Sequence, residues 1–248
     1  IENNKMNVLG IDIGGSGVKG AIVDIKSGEL LSEKIRFPTP NKPTPKKIFD
    51  GIKSNILDEL KWDGNVGCGF PGVVKKNKIY SAANIEKKWI GLNLKKKFHK
   101  KFNLRCKAIN DADAAGLSEI ALNPNVLKRG TVLVITVGTG LGTSMFIDGK
   151  LIPNFELGHL KMYGDCAEKY ASNHARKKLN LSWKEWTARF NEYIEYVEFL
   201  FSPNQIVFGG GISKYFNEFE SSLKSKCEII PAKNRNNAGI IGAATCFK

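Results

Sequence analysis

Residues 7–37 read NVLGIDIGGSGVKGAIVDIKSGELLSEKIRF, and this stretch decides the fold. One apolar run ends at Asp12 before a group of glycines, a second ends at Asp24, and a Ser-Gly-Glu turn leads into a third. Short apolar runs separated by glycine turns are typical of successive strands. The stretch therefore predicts an antiparallel meander.

The same glycines also match the dinucleotide-binding fingerprint G-x-G-x-x-G, at Gly15, Gly17 and Gly20. That fingerprint requires glycines that open a helix, whereas the residues that follow here, AIVDI, are typical of a strand. We therefore reject a dinucleotide site. The phosphate-binding pattern G-x-x-x-x-G-K-[ST] does not occur in the sequence either.

A second glycine hairpin follows half a chain later. Residues 9–15 align with residues 133–139 at an offset of 124, which pairs Asp12 with Thr136. Such a repeat predicts two similar lobes facing each other; chance similarity of glycine-rich hairpins is the alternative. We expect a small N-terminal α/β lobe at 1–107, joined by a C-terminal helix at 236–248, and a larger α/β lobe at 108–235.

Helical patterns lie between and after the two copies. Isoleucine and leucine recur at helical spacing within residues 44–60, and Ser182 with Glu185 forms a capping box before a long helix. The residues after Gln205 predict a strand that runs into glycines 209–211 and a helix start. The buried stripe predicted for the long helix comprises Trp186, Phe190, Tyr193, Val197 and Leu200.

Composition excludes several protein classes. The 248 residues are 42% hydrophobic and 25% charged, which is typical of a globular chain. No run approaches the roughly 18 apolar residues of a membrane span, and the first residues lack the pattern of a leader. The five cysteines never fall in C-x-x-C spacing. We expect a soluble protein in the reducing cytoplasm.

The positive charge is concentrated in one segment. Residues 42–107 hold 17 basic and 5 acidic residues, and so carry most of the net charge of +14. This favours a polyanionic partner, either nucleic acid, an anionic membrane or a long phosphate chain. A lysine-rich background composition is the alternative, because 32 of the 38 basic residues are lysine. Within the segment, residues 93–102 predict an amphipathic helix with lysines on its outer face.

Three glycine loops and two groups of polar residues could carry chemistry. Glycine turns after strands present N–H groups to phosphate oxygens, with Lys19 and Thr139 beside them. Asp12 could orient Mg²⁺ through water or be a simple turn residue. Asp111 could be a helix cap or a general base. The segment from Glu156 to His159 suits a polyol, with a metal site as the alternative.

Six segments of the chain carry a resemblance to a known family: DIGGSGVKG at 12–20, FPGVV at 70–74, NDADAAGLSE at 110–119, TVGTGLGTS at 136–144, ELGH at 156–159 and FGGGIS at 208–213. These segments resemble those of the ROK sugar kinases, and the similarity covers almost the whole chain in the expected order. AANIEKKWIG at 82–91 and DCAEKYAS at 165–172 are similar to the members that use polyphosphate. The resemblance implies a two-lobed α/β actin/hexokinase-like (ribonuclease H-like) fold with an interlobe cleft.

The resemblance also implies a function and a set of roles. It implies a homodimeric glucokinase that takes its phosphoryl group from inorganic polyphosphate or ATP, uses Mg²⁺, accepts mannose as a further sugar, and has Asp111 as the general base. The implied sugar-binding residues are Gly72, Asn84, Asn110, Asp111, Glu156, His159 and Glu168. The implied donor-binding residues are Asp12, Gly14, Gly15, Ser16, Lys19, Thr136, Gly138, Thr139, Gly140, Gly210 and Gly211.

The sequence departs from the family at one point. The cysteine-rich zinc motif common after E-x-G-H is missing, because residues 160–168 read LKMYGDCAE. We therefore expect no structural zinc, and Mg²⁺ bound only with the donor. The alternatives are a strictly ATP-dependent hexose kinase, a sugar-responsive repressor, and an actin-like filament protein. A repressor needs a DNA-binding domain ahead of Asp12, where 11 residues stand, and we expect neither nucleic acid nor a membrane as partner.

Overall fold

The chain divides into two compact units in a computed structural model that describes residues 7–82 and 85–248. The first unit holds the residues up to Leu122 together with Asn237–Lys248, and the second holds Asn123–Asn236. Helix α4 (Asp111–Leu122) belongs to the first unit because it packs on helix α8 (Ala238–Thr245). The sequence-based division after residue 107 therefore differs from the one in the structure.

The first unit is built on a five-stranded sheet. Its strands are β1 (Asn7–Ile13), β2 (Gly17–Asp24), β3 (Ile35–Pro38), β4 (Val66–Phe70) and β7 (Cys106–Asn110). Their order is β3-β2-β1-β4-β7. The first three strands are antiparallel, as the meander predicted, and β4 and β7 run parallel to β1. A small hairpin pairs β5 (Val74–Lys75) with β6 (Lys78–Ile79).

The remaining helices of this unit cover one face of the sheet. They are α1 (Pro45–Ile52), which continues through a π-helical turn at Lys53–Leu57 into α2 (Asp58–Leu60), a 3₁₀ turn at Lys87–Trp89, and α3 (Leu94–Phe102). Thr44 caps α1, and Asn93 caps α3 by accepting a hydrogen bond from the Lys96 N–H. Leu94 and Phe98 form the buried side of α3, as expected for the predicted amphipathic helix, and Phe102 is half-buried.

Helix α8 packs very closely against the other face of the first sheet. A methyl group at Gly67 would collide with the Ala243 carbonyl, and one at Gly242 would collide with the backbone of Ala114 in α4. The absence of side chains at these two positions lets α8 lie directly on β4 and α4. The tail thus forms the predicted C-terminal helix, and its small residues allow this close packing. A 3₁₀ turn at Arg235–Asn237 leads into it.

The second unit repeats the topology of the first. Its sheet has the order β10-β9-β8-β13-β14, with β8, β9 and β10 antiparallel and β13 and β14 parallel to β8. The predicted duplication is therefore confirmed. The strands are β8 (Thr131–Val137), β9 (Leu141–Ile147), β10 (Lys150–Ile152), β13 (Gln205–Gly209) and β14 (Glu228–Pro231); β11 (Lys161–Met162) and β12 (Asp165–Cys166) form a separate hairpin.

The helices of the second unit include one long element, α7 (Trp183–Phe201), which begins at the predicted Ser182–Glu185 capping box. Trp186, Phe190, Tyr193 and Val197 are buried, but Leu200 is exposed, so the predicted buried stripe ends one turn early. The shorter helices are α5 (Ala167–Ala171), α6 (Asn173–Lys178) and 3₁₀ turns at Leu157–His159, Ser213–Glu218 and Glu220–Ser222. None of the described helices is both long enough and apolar enough to cross a bilayer.

Candidate active site

The first unit gathers several candidate residues at one edge of its sheet. Asp12 lies near the carboxyl end of β1, Gly72 follows β4, and Asn110 ends β7. Because these three strands are parallel, their carboxyl ends meet at the same edge, where ligands of open α/β sheets commonly bind. The Asn110 side-chain Nδ2 donates to the Gly72 carbonyl over 3.2 Å, which ties the ends of β4 and β7 together.

Asn110 provides the helix-capping bond that Asp111 could have made. It is 4% exposed, and its Oδ1 accepts a hydrogen bond from the Asp113 N–H at 3.0 Å, which is an N-cap bond at the start of α4. Asp111 is the first residue of α4, is half-buried, and accepts from the Ala112 N–H at 2.9 Å. Asn110 therefore caps α4, and the carboxylate considered as a general base belongs to the next residue, Asp111.

The first glycine turn presents backbone groups at the same edge. The Gly14 N–H donates to the Gly17 carbonyl over 3.0 Å, and the Thr39 hydroxyl donates to the Gly14 carbonyl over 2.6 Å. Gly15 and Ser16 are exposed, and their N–H groups take no part in the bonds that close the turn within the described residues. Such N–H groups suit phosphate oxygens.

A row of charged residues crosses the sheet beside this turn. Asp12 on β1 is paired in register with Lys19 on β2, and Lys19 is paired with Arg36 on β3. Residues directly opposite one another share a face of the sheet. The Lys19 Nζ lies 3.4 Å from an Asp12 Oδ, and an Arg36 Nη donates to the Ser16 carbonyl over 3.4 Å.

Arg36 was missed by sequence reasoning. The sequence does contain a signal for Arg36. The alternation of side chains along β3 and the turn between β2 and β3 together place Arg36 opposite Lys19. The position of Arg36 depends on the register of β3, since a shift of one residue would send its side chain to the other face of the sheet. The glycine turn therefore has two cations beside it, not one.

The pKa of the Asp12 carboxylate is shifted by its surroundings. Burial raises the pKa of Asp12, and the positive charge and hydrogen bond of Lys19 act against that rise. A carboxylate beside a turn with exposed N–H groups fits Mg²⁺, which keeps several waters and is held by one or two carboxylates plus substrate phosphates.

The second unit brings its candidate glycines to the matching edge of its own sheet. Thr136 lies one residue before the end of β8, and its hydroxyl donates to the Gly142 carbonyl at 3.2 Å. The Gly138 N–H donates to the Gly140 carbonyl at 3.0 Å. Gly210 packs so closely on Val137 that a methyl group there would collide with the strand. The turn at 138–140 and the loop at 210–211 are thus neighbours, and Thr139, the middle residue of the turn, is exposed.

A cluster of polar side chains lies beside these turns in the second unit. The His159 Nε2 lies 3.9 Å from a Glu156 Oε, and a methyl group at Gly140 would collide with the Glu168 carboxylate. Burial raises the pKa of Glu156, His159 opposes that rise, and Glu168 adds to it. Carboxylates and an imidazole in this arrangement can accept and donate hydrogen bonds to several hydroxyl groups.

Cys166 joins this cluster, which the spacing did not reveal. Ligand atoms of His159, Cys166 and Glu168 all lie within 4.8 Å of one another, so the three could hold a metal ion. The predicted Asn84 lies outside the described residues. The other predicted residues form two groups, one at the sheet edge of each unit.

Comparisons with known proteins decide the family. The model of the ROK family matches residues 8–190. The chain belongs to the ROK family. It is 35% identical over 237 residues to a protein of Mycobacterium tuberculosis (strain CDC 1551 / Oshkosh) called polyphosphate glucokinase, which spans 95% of this chain and 89% of that protein.

Solved ROK structures agree with this membership. The crystal structure of inorganic polyphosphate/ATP-glucomannokinase from Arthrobacter sp. strain KM is 43% identical, with a TM-score of 0.91 over 97% of this chain and 98% of that one. A ROK family glucokinase from Streptomyces griseus, solved with glucose and AMPPNP, is 23% identical with a TM-score of 0.82 over 97% of this chain and 98% of its own. The similarity to the Streptomyces griseus structure shows the fold alone, and this fold is the predicted actin/hexokinase-like fold.

Proposed function

We propose that this ROK-family protein is a glucokinase that transfers the terminal phosphoryl group of inorganic polyphosphate to the 6-hydroxyl of glucose. The observation that carries the proposal is the placement of the Asp111 carboxylate at the same sheet edge as the glycine turn and its two cations. The choice of polyphosphate rests on relatives named polyphosphate glucokinase and polyphosphate/ATP-glucomannokinase, which match 95% and 97% of the chain. Those names also support ATP as a second donor and mannose as a second sugar.

Asp111 acts as the general base in this mechanism. It takes the proton of the 6-hydroxyl as the hydroxyl oxygen attacks the terminal phosphorus, and the bridging oxygen leaves with the shortened polyphosphate chain or with ADP. Phosphoryl transfer otherwise needs positioning and neutralisation of charge. The sugar-binding role falls to Gly72, Asn84, Asn110, Glu156, His159 and Glu168.

The donor-binding role falls to the two glycine turns and their neighbours. Lys19 and Arg36 neutralise donor oxygens, and the N–H groups of Gly15 and Ser16 donate to them. Asp12 would hold Mg²⁺ through water, and the bound metal would supply further positive charge for the donor oxygens. The remaining donor residues are Gly14, Thr136, Gly138, Thr139, Gly140, Gly210 and Gly211.

We place the protein in the cytoplasm, with glucose and polyphosphate as its partners and neither nucleic acid nor a membrane among them. All five cysteines are free thiols in the structure, as a reducing compartment leaves them.

A coupled assay for glucose 6-phosphate tests the function. Long-chain polyphosphate and ATP are compared at matched concentrations of transferable phosphoryl group, with glucose and then mannose as acceptor. We expect turnover with both donors and a higher kcat/KM with polyphosphate. Turnover with ATP alone would make the protein a strictly ATP-dependent hexose kinase of the same family.

We also propose that the protein holds no structural zinc. Structural zinc is almost always bound by four ligands, and the cluster of His159, Cys166 and Glu168 offers three within the described residues. Metal analysis of the purified protein should find no stoichiometric zinc, and a strong chelator should leave the fold intact. One zinc per chain that disappears in Cys166→Ser would contradict this.

The proposed homodimer uses an exposed apolar strip on α7. Tyr196, Phe199 and Leu200 lie three and four residues apart and are all exposed, Phe199 by 78%. A second copy of the chain would cover this strip. We expect Phe199→Glu to convert the dimer to a monomer in light scattering, whereas Leu179→Glu, at another exposed leucine, should stay dimeric. A dimeric Phe199→Glu would place the interface elsewhere.

A further inference from the structure

The hairpin of β11 and β12 separates two members of the polar cluster. His159 precedes it and Glu168 follows it, and the hairpin pairs Lys161 with Cys166 and Met162 with Asp165. Two residues a side are too few for an independently stable hairpin. The distance between His159 and Glu168 nevertheless depends on the hairpin, because the pairing of its two strands brings the residues just before it close to those just after it.

The tip of this hairpin has an unusual residue. Tyr163 and Gly164 have φ values of 51° and 82°, the left-handed pair of a two-residue turn that asparagine and glycine normally fill. A bulky residue in this conformation is disfavoured. Burial does not explain Tyr163 either, since 75% of it is exposed. Its hydroxyl donates to Oε2 of Glu192 on α7 over 2.5 Å.

A second tyrosine converges on the same oxygen. Tyr170 lies on α5, the short helix that carries Glu168, and its hydroxyl donates to Glu192 Oε2 over 3.1 Å. The two tyrosine rings are 4.8 Å apart between centroids, and the Arg189 guanidinium lies 4.7 Å from the centre of the Tyr170 ring. Charge-assisted hydrogen bonds of this kind are stronger than neutral ones. The hairpin tip and α5 are thus both fixed to one carboxylate of α7.

We propose that Tyr163, Tyr170 and Glu192 form a latch that holds the hairpin and α5 on α7, and so sets the distance between His159 and Glu168 for sugar binding. The three are positioning residues, and the proposal rests on the proposed function. If the latch opens, the hairpin keeps its two residue pairs, the Ala167 N–H bond to the Leu160 carbonyl at 2.8 Å and the packing of Met162 on the core, but it loses the bond between its tip and α7. The separation between His159 and Glu168 then becomes less fixed, while the glycine turn of the first unit, with Lys19 and Arg36 beside it, keeps its geometry.

The latch predicts a selective kinetic defect. In the double variant Tyr163→Phe/Tyr170→Phe, both rings remain and both hydroxyls are lost. These bonds act on the sugar only indirectly, through the hairpin and α5. We therefore expect KM for glucose to rise about three- to tenfold, which is the effect of about one net hydrogen bond. KM for polyphosphate should change less than twofold. Glu192→Gln, which keeps an acceptor oxygen, should lie between the wild type and Glu192→Ala. Tyr215→Phe, an exposed tyrosine elsewhere in the same unit, serves as the control.

Hydrogen exchange measures the latch without any substrate. Amides of residues 159–168 should exchange faster in the double variant than in the wild type or in Tyr215→Phe, with residues 183–201 unchanged. Unchanged exchange together with an unchanged KM for glucose overturns the latch, and so does an equal loss toward both substrates. A wild-type protein that does not phosphorylate glucose overturns the proposed function instead, since the exchange result stands by itself.

Discussion

Asp111→Asn should lower kcat about 10²- to 10⁴-fold with both polyphosphate and ATP, because it removes the group that takes the proton of the sugar hydroxyl. Asparagine has nearly the same shape, and its side-chain oxygen can still accept the Ala112 N–H bond. The fold and the affinity for glucose should therefore be preserved. Steady-state kinetics at saturating glucose measure the first effect, and calorimetric titration with glucose measures the second.

Asn110→Ala is the matched comparison, because it removes the neighbouring cap. Loss of an N-cap typically costs about 1 kcal/mol of stability, so thermal unfolding should shift in Asn110→Ala and barely in Asp111→Asn. Near-normal turnover in Asp111→Asn would show that its carboxylate is not the base. A large shift of the melting temperature in that variant would show that Asp111 is mainly structural.

The glycine turns predicted more of the fold than any other feature. Each is a local signal, since the turn and its flanking strands lie within about 20 residues, and the repeat of the turn implied the repeat of the sheet. The capping box at Ser182 was also local, and α7 begins where the box predicts. Helical periodicity did not predict burial correctly at the carboxyl end of α7, where Leu200 is exposed although its spacing fits the buried stripe.

Features that depend on distant packing could not be predicted in this way. The boundary between the units follows the contact of α4 with α8, whose sequences lie more than a hundred residues apart. Cys166 reaches His159 only because a hairpin turns at Tyr163 and Gly164, a pair that lacks the usual asparagine-glycine signal. Likewise, whether Asn110 or Asp111 caps α4 depends on one residue of helix boundary, which sequence patterns rarely resolve.

The basic helix α3 links the two ends of the first sheet. It begins beside the hairpin that follows β4, where the Leu94 N–H donates to the Asn77 carbonyl, and it ends at the loop that enters the amino end of β7. Its nine residues span about 13 Å. Next to its far end is an open groove of about 910 Å³ lined partly by Lys53, Lys61, His99, Lys100 and Lys101.

Not every lysine near this groove is equally available to a polyanion. Lys101 pairs with Asp50, and Lys53 pairs with Asp58 at 2.8 Å. Lys96 and Lys100 are exposed on α3, and Lys97 is half-buried. We propose that a phosphate chain that starts at the glycine turn follows α3 away from the reacting group. A nucleotide needs no cations so far from its terminal phosphate.

Changing Lys96, Lys97, Lys100 and Lys101 together to Gln should therefore raise KM for long polyphosphate severalfold or more, with KM for ATP and for glucose nearly unchanged. Binding of a polyanion releases counterions, so the salt dependence of KM for polyphosphate should also flatten, by analogy with nucleic acids. A control variant with Lys177, Lys178, Lys224 and Lys226 changed to Gln has the same net charge and alters only the second unit.

The comparison of the two quadruple variants separates a local track from a general attraction. If both raise KM for polyphosphate equally, the positive charge acts as a whole, because long-range attraction depends on net charge more than on position. If neither does, α3 is a solvated face, and the lysines at 75, 76, 87 and 88 are the next set to change. Only a selective loss in the α3 variant, with ATP turnover intact, identifies this helix as the path of the phosphate chain.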